Sequence, residues 1–549
     1  MKVLFIIPPY IEFDSFVNPK FNERTVPKGS KFYGSAVTDM PLGVLSLSSY
    51  IKKHSDSEVE LMDLNIILNK AEDFNYNSFS ELFYDVLSEK KWKDYLPDII
   101  GISTLFTTSY FNMIEIARTS RELFPNSLIL AGGGVPTNMY KNILKGSKSF
   151  DALCYGEGEK PLLGLINSED KKRFLKESTS WITKEKVNQV FQHDFIEDLD
   201  EIPFYDYGLL DTKDYEISPT LNSYNSFINK GNLFHISTSR GCPHNCCFCS
   251  SHTIHGKKMR YHSLNRVKED LKNLKENYNA NKVGIQDDNF MVNKDRAEEI
   301  IYIAKDLKMG IFFQSGLPLY ALDIKMLKLI KSVGINHLVL AIESGSDRVL
   351  KDIMHKPLNT PMIREVVSNC HNLRIETDAN ILIGLPGETK KDIEDTRRFL
   401  KELDVNWLRI YIATPLIGSE MFDICVKNNY LSGNHIGSDF KKAVISTEDF
   451  TADYIREKVY SLNLELNFVE NSDVKLGNYK LALKGFENTI KVKNNHAFAY
   501  YFASRCYREL GMEEESLRAM EKYYLLVESS KMWRDYAIKF KLPLEVVRG

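Results

Sequence analysis

"SRGCPHNCCFCSS" (residues 239–251) places four cysteines within eight residues. Cys242, Cys246 and Cys249 follow a C-x3-C-x2-C spacing, compact enough for one loop to turn three thiolates toward one point. Cys247 adjoins Cys246 and must project elsewhere. The residues alone leave three arrangements open: a zinc site completed by His244 or His252, a set of disulfides, or simple buried thiols. The polar "PHN" insert speaks against plain burial. Eight cysteines in a 549-residue chain suggest reduced thiols and a metal centre more than a disulfide framework.

Around this loop the chain alternates short apolar runs with amphipathic stretches. "FHISTS" (234–239) leads into the cysteines, and "KVGIQDDN" (282–289), "IFFQSG" (311–316), "HLVLAIES" (337–344), "ANILIGL" (379–385) and "WLRIYIATP" (407–415) follow. Six βα units over residues 234–430 predict a barrel or partial barrel, in which functional side chains gather at the C-terminal ends of the strands. The cysteine loop begins just after the first of them.

Upstream, residues 1–165 carry five further apolar runs: "KVLFIIP", "VELMDLN" (59–65), "DIIGIST" (98–104), "SLILAGGG" (127–134) and "ALCYGEG" (152–158). With helical segments between them they predict an α/β, doubly wound, Rossmann-like domain. The opening run stops at Pro8-Pro9 without a leader's long apolar region or cleavage site, so it reads as a buried strand and places the protein in the cytoplasm. Residues 166–233 are more polar and predict a connector packed on its neighbours. Over 431–549 the sequence turns helical. "GNYKLALKGFENTI" (477–490) and "GMEEESLRAMEKYY" (511–524) resemble each other with leading glycines 34 residues apart, the period of tetratricopeptide-like helix pairs, over about 472–540. Fewer than three such repeats need support from the barrel.

With 43% hydrophobic and 26% charged residues, a disordered chain is excluded. A formal charge of −3 advertises no nucleic-acid or membrane surface. No apolar window reaches the length of a membrane-spanning helix.

The cysteine spacing, with aromatic Phe248 before the third cysteine, resembles the radical S-adenosylmethionine (SAM) superfamily. The resemblance implies that Cys242, Cys246 and Cys249 bind three irons of a [4Fe-4S] cluster, whose fourth iron chelates SAM, cleaved to a 5'-deoxyadenosyl radical. Further SAM contacts would then fall at later strand ends: Asp287 in "IQDDNF", Gln314, Glu343 and Ser344 in "IESGS", and Gly384 and Pro386 in "IGLPGET" (383–389), which matches the family's Gly-Pro-Gly-Glu-Thr turn. In front of this barrel, "PDIIGISTLFTTS", "LILAGGGVPT" and "DALCYGEGEKPLL" resemble the cobalamin-binding domain of one large radical SAM class. That implies cobalamin contacts at Ser103, Thr104, Gly132, Gly133, Gly134, Gly156 and Glu157. The D-x-H-x-x-G signature that supplies a cobalt-ligating histidine in other cobalamin enzymes is absent, so no lower axial ligand can be named. No cysteine precedes Cys154, unlike in the methylthiotransferases, and no G-x-G-x-x-G follows the first strand.

The activity so implied is cobalamin-dependent methylation of an unactivated carbon, or of phosphorus, with one SAM as methyl source and a second as radical source. Radical cyclisation or rearrangement with the same cofactors is the alternative, and a zinc-bearing scaffold the reading from another class. No side chain is singled out as catalytic, since the cofactors carry the chemistry. An external electron donor of flavodoxin or ferredoxin type is the implied partner. The C-terminal helices are expected to close the barrel's mouth, or else to bind a protein.

Overall fold

The computed structural model describes residues 1–19, 25–36, 38–215, 232–433, 435–436 and 442–545. The end of the expected connector, residues 216–231, and parts of the helical C-terminal region lie outside them. The chain packs as two compact units. The first is built from Met1–Ser218, Asn232–Ser315 and Thr414–Asp439, and the second chiefly from Gly316–Ala413 and Phe440–Gly549. The division thus falls inside the segment 234–430 expected to form one domain.

In the first unit the apolar runs become β1 Lys2–Ile7, β2 Thr25–Lys28, β3 Lys31–Gly34, β4 Glu58–Asp63, β5 Ile99–Ser103, β6 Leu128–Gly132, β7 Ala152–Cys154 and β8 Trp181–Ile182. All but β2 and β3 form one sheet in the order β4-β1-β5-β6-β7-β8, parallel except for β8. Near-continuous Val, Ile and Leu in β1, β5 and β6 is what burial on both faces demands. The parallel strands run 2-1-3-4-5 in their own order. The order in which strands are added therefore reverses between β1 and β5, and the crevice outside their C-terminal ends is where open α/β sheets bind ligands.

The same unit continues with β9 Leu233–Ile236, β10 Ser239–Arg240, β11 Arg260–Tyr261, β12 Lys282–Ile285 and β13 Gly310–Phe313, of which β13-β12-β9 make a parallel sheet and β10-β11 an antiparallel pair flanking the cysteine loop. The connector packs rather than dangles. Buried Tyr207 donates its hydroxyl to the His235 carbonyl on β9 (2.5 Å) and sets its ring edge-on to Phe234.

The second unit holds β14 His337–Glu343, β15 Glu376–Ile383 and β16 Trp407–Ile412, a parallel sheet in that order. Leu338, Leu340, Ala379, Ile381, Ile383, Leu408 and Ile412 are buried on one face, and Val339, Asp378, Leu382 and Trp407 on the other. Period 2 puts Asn380 and Arg409 on that second face with Asp378, while the register shift after Leu340 aligns Glu343 with Ile381. The observed strands stop two to three residues short of several expected ends, because extended residues past the last ladder bond look like strand in sequence.

β16 is an edge, and the C-terminal helices seal it. Buried Asn467 accepts from the Leu408 amide and donates to the Leu408 carbonyl, both at 2.8 Å, so one side-chain amide does what a further strand would do. Asn467→Ala should expose both groups unpaired, at a cost of about 2–4 kcal/mol. Hydrogen exchange is the check: the Leu408 amide should lose at least about tenfold in protection while β1 amides keep theirs. The helices Tyr479–Val492, Ala497–Glu509, Glu513–Ser529 and Lys531–Lys539 follow, with Gly477 and Gly511 at φ of +75° and +74° ahead of the first and third. Among the described residues no helix is long and apolar enough to cross a membrane.

Candidate functional site

The cysteine loop leaves β10 through Gly241, whose φ of +95° only glycine adopts freely; a Cβ there would lie 2.4 Å from the Lys258 carbonyl oxygen. The Gly241 amide donates to Asp288 (3.0 Å) and the Cys242 amide to the Gly256 carbonyl (3.3 Å), closing the loop on itself. Cys242, Cys246 and Cys249 are half-buried cysteines outside any disulfide, and Phe248 between the last two is half-buried. Cys242 lies beside the Asn289 side chain, and burial raises its thiol pKa. Cys247 points away as expected: it is 3% exposed, its carbonyl accepts from the Met421 amide, and burial pushes its thiol up to about 12.

Convergence of the three thiolates on one point is not what the structure shows. Among the described residues no three His, Cys, Asp or Glu side chains gather around one ion. A donor set of three separated thiolates on one loop suits a cubane cluster, which takes each thiolate at a different iron.

Three expected contacts have other employment. Asp287, 1% exposed, accepts from the Thr238 amide and hydroxyl and from the Ser239 hydroxyl, all at 2.6 Å, and so pins the entry to the loop rather than facing open space. Ser344 is buried with its hydroxyl on Thr396 (3.0 Å), fastening the turn after β14. Glu157 is spent in an ion network. Its carboxylate meets both Arg240 (3.1 Å) and Arg260 (2.9 Å) and the His255 ring (2.8 Å), while neighbouring Glu159 meets Arg240 (2.7 Å) and Ser46 (2.5 Å). Burial alone would raise the Glu157 carboxyl, but Arg240 with His255 and Arg260 outweighs it and holds the group well below the usual range.

Gly156 also answers to an internal neighbour: at φ +80°, a Cβ would come within 2.2 Å of His193 Nδ1. Gly133 (φ +104°) and Gly134 pass so close to the Thr104 and Leu105 carbonyls that a Cβ would lie 2.6 and 2.8 Å from them, whereas Gly132 meets only ordinary contact with Cys154. These glycines let the turn after β6 nest against the loop after β5, which brings the N-terminus of helix Gly134–Gly146 to the sheet's ligand edge.

That edge carries features a ligand would satisfy. Thr104 is fully buried with its hydroxyl unpartnered among the described residues, and Ser103 beside it is half-buried. Leu105 and Phe106 are about half exposed, and Tyr10, after β1, sets its ring edge-on to Phe106. Asp39 keeps one buried carboxylate oxygen without a partner, while the other accepts from Gln314 Nε2 (2.9 Å). An amphipathic macrocycle bearing amide side chains, as cobalamin is, fits a half-exposed apolar platform flanked by an orphan hydroxyl and an orphan carboxylate oxygen. Gln314, expected at SAM, stands in a chain: Gln286 bonds both Gln314 (3.0 Å) and His235 (2.8 Å).

In the second unit Glu343 has φ of +65° at a register shift in β14, uncommon for a non-glycine residue, and its carboxylate meets Lys356 (3.2 Å). Gly384 (φ +96°) and Pro386 form a buried turn held by Glu388, which accepts from the Gly384 (2.6 Å) and Leu385 (3.2 Å) amides. The sequence reading did not single out Asp39, Arg240, Arg260, Asp378 or Arg409. Asp39 lies in the loop before helix Leu42–His54 and carries no signal, while the others are charges within strands.

Comparison with known proteins matches residues 38–166 to the B12 binding domain and residues 236–400 to the Radical SAM superfamily. An uncharacterized methyltransferase of Pyrococcus horikoshii is 28% identical, over 78% of this chain and 84% of that one. The cytidylyl-2-hydroxyethylphosphonate methyltransferase of Streptomyces wedmorensis is 25% identical, over 62% and 69% respectively. Among solved structures, the cobalamin-dependent S-adenosylmethionine radical enzyme OxsB superposes with a TM-score of 0.60 at 15% identity, covering 98% of this chain and 80% of that one. The chain thus carries a B12 binding domain and a Radical SAM domain, and its cofactors are a [4Fe-4S] cluster, SAM and cobalamin.

Proposed function

We propose that this radical SAM enzyme with a B12 binding domain is a methyltransferase acting on an unactivated carbon, or a phosphorus, centre. The observation that carries the reading is that one compact unit contains both the cysteine loop and the ligand edge of the doubly wound sheet, tied by buried ion pairs. When bound, the cluster delivers an electron that cleaves SAM, and cobalamin serves as the methyl carrier. The chain's side chains hold and orient these groups. Cys242, Cys246 and Cys249 hold the cluster next to Phe248. Glu343, with the turn at Gly384 and Pro386, receives SAM's polar groups, and Gln314 is a further polar contact for SAM. Ser103, Thr104 and Gly132 face cobalamin, with Gly133 and Gly134 shaping the turn behind them. The electron is supplied by a flavodoxin- or ferredoxin-type donor in the cytoplasm.

The test is to reconstitute the protein anaerobically with and without cobalamin and with methyl-labelled SAM. About four irons and one cobalt per chain, with label passing from SAM to the protein-bound corrinoid, is the expected result. Cobalt without label transfer, alongside 5'-deoxyadenosine release, would favour cyclisation or rearrangement. Iron without cobalt would reduce the first domain to another role, and zinc alone would end the radical reading.

A further inference from the structure

Arg240 stands two residues before the first cluster cysteine, and Arg260 and His255 follow the last. All three converge on the turn after β7. The side chains of Arg240, Glu157, Glu159 and Arg260 are 9%, 2%, 4% and 2% exposed, two cations against two anions, with Ser46 hydrogen-bonded to Glu159. Stability by itself does not call for this, because buried ion pairs often hold a fold no better than apolar residues of equal volume. Arginine forks add direction instead: each fixes the plane and register of the carboxylate it grips. A second tie runs parallel. Asn138, on the helix that starts at Gly134, donates to Thr253 in the segment after the cysteines (2.9 Å) and to the Gly134 carbonyl (2.9 Å). Both ends of the cysteine loop are therefore registered against the elements that form the sheet's ligand edge.

We propose that Glu157 is a positioning residue that locks the cluster loop to the B12 binding domain and thereby sets the distance between cluster and cobalt. Methyl transfer that passes between two cofactors needs that distance held. The inference rests on the two-cofactor reading above.

The test uses full-length protein loaded with cluster and cobalamin, and reads the dipolar distance between cob(II)alamin and the reduced cluster by pulsed electron paramagnetic resonance. Wild type should give one narrow distance. Glu157→Gln should retain iron and cobalt but broaden the distribution at least about twofold. Arg260→Lys, which keeps the charge and loses the fork, should broaden it less, and stands in if Glu157→Gln fails to fold. A distribution unchanged in a folded variant overturns the proposal. Hydrogen exchange over residues 241–260 in the same samples reads the lock without cobalt: faster exchange confined to that segment supports it, and no change, or a change spread over the whole unit, overturns it. Should wild type bind no cobalt, the two-cofactor reading fails by itself, and the exchange result still decides whether Glu157 positions the loop.

Discussion

Cys242→Ala, Cys246→Ala and Cys249→Ala should each reduce bound iron from about four per chain to below one and bring SAM cleavage below detection, whereas Cys247→Ala leaves both intact. The four thiols sit within eight residues, so proximity does not separate them. Environment does. The three half-buried thiols lie on a loop bent by Gly241, where metal can reach them. Cys247 is sealed beneath helix Glu420–Lys427, near Cys425, and burial keeps its thiol neutral through the physiological range. Iron and sulfide content together with 5'-deoxyadenosine release decide the matter. Loss of iron in Cys247→Ala, with retention in Cys249→Ala, would overturn the assignment drawn from the spacing.

The second large effect is at Glu388. Burial pushes its carboxyl up to about 8, against the pull of the Gly384 and Leu385 amides that it accepts from. The folded protein therefore keeps a proton that the unfolded chain gives up near the ordinary value of 4.5. The stability so contributed is complete below pH 4.5, falls as pH rises toward about 8 and is gone above it. At 1.36 kcal/mol per pKa unit the difference amounts to at most about 5 kcal/mol. Glu388→Gln keeps an acceptor for both amides without a titrating proton, so the stability of the second unit should become flatter between pH 5 and 9 in comparison with wild type. Glu388→Ala leaves two buried amides unpaired and should cost about 2–4 kcal/mol on that account, together with the carboxyl's own contribution at low pH, so its cost shrinks as pH rises toward about 8. Thermal unfolding across that pH range, followed by hydrogen exchange at Gly384, measures both. An equal slope in wild type and Glu388→Gln would show that the titrating group lies elsewhere.

Much of this molecule was legible in the linear chain, for a physical reason. Strands announce themselves by apolar runs of period 2, tight turns by glycine, and a cluster loop by cysteine spacing; all of these are local, because the interacting atoms are a few residues apart. Eleven apolar runs were expected as strands, and each has a strand within it or overlapping it. The hairpin of β2 and β3, the antiparallel β8 and the β10-β11 pair were not expected, being short and lacking that signal.

Polar residues at strand ends behaved otherwise. Asp287, Ser344 and Glu157 have the composition and placement of ligand contacts, yet each is engaged by the protein itself: Asp287 by residues 48 and 49 positions away, Ser344 by one 52 away and Glu157 by three at separations of 83, 98 and 103. Asp39 looks like an ordinary loop acid and turns out to hold Gln314, 275 residues on. Asn467 looks like a helix polar residue and turns out to finish a sheet. The sequence alone thus determined the longer parallel strands, the spacing of the cysteines proposed for the cluster and which cofactor classes the chain takes. Whether a given carboxylate faces a ligand or an arginine was decided only in the tertiary structure, because burial and the partner that offsets its cost are properties of segments meeting in space, which no local pattern encodes.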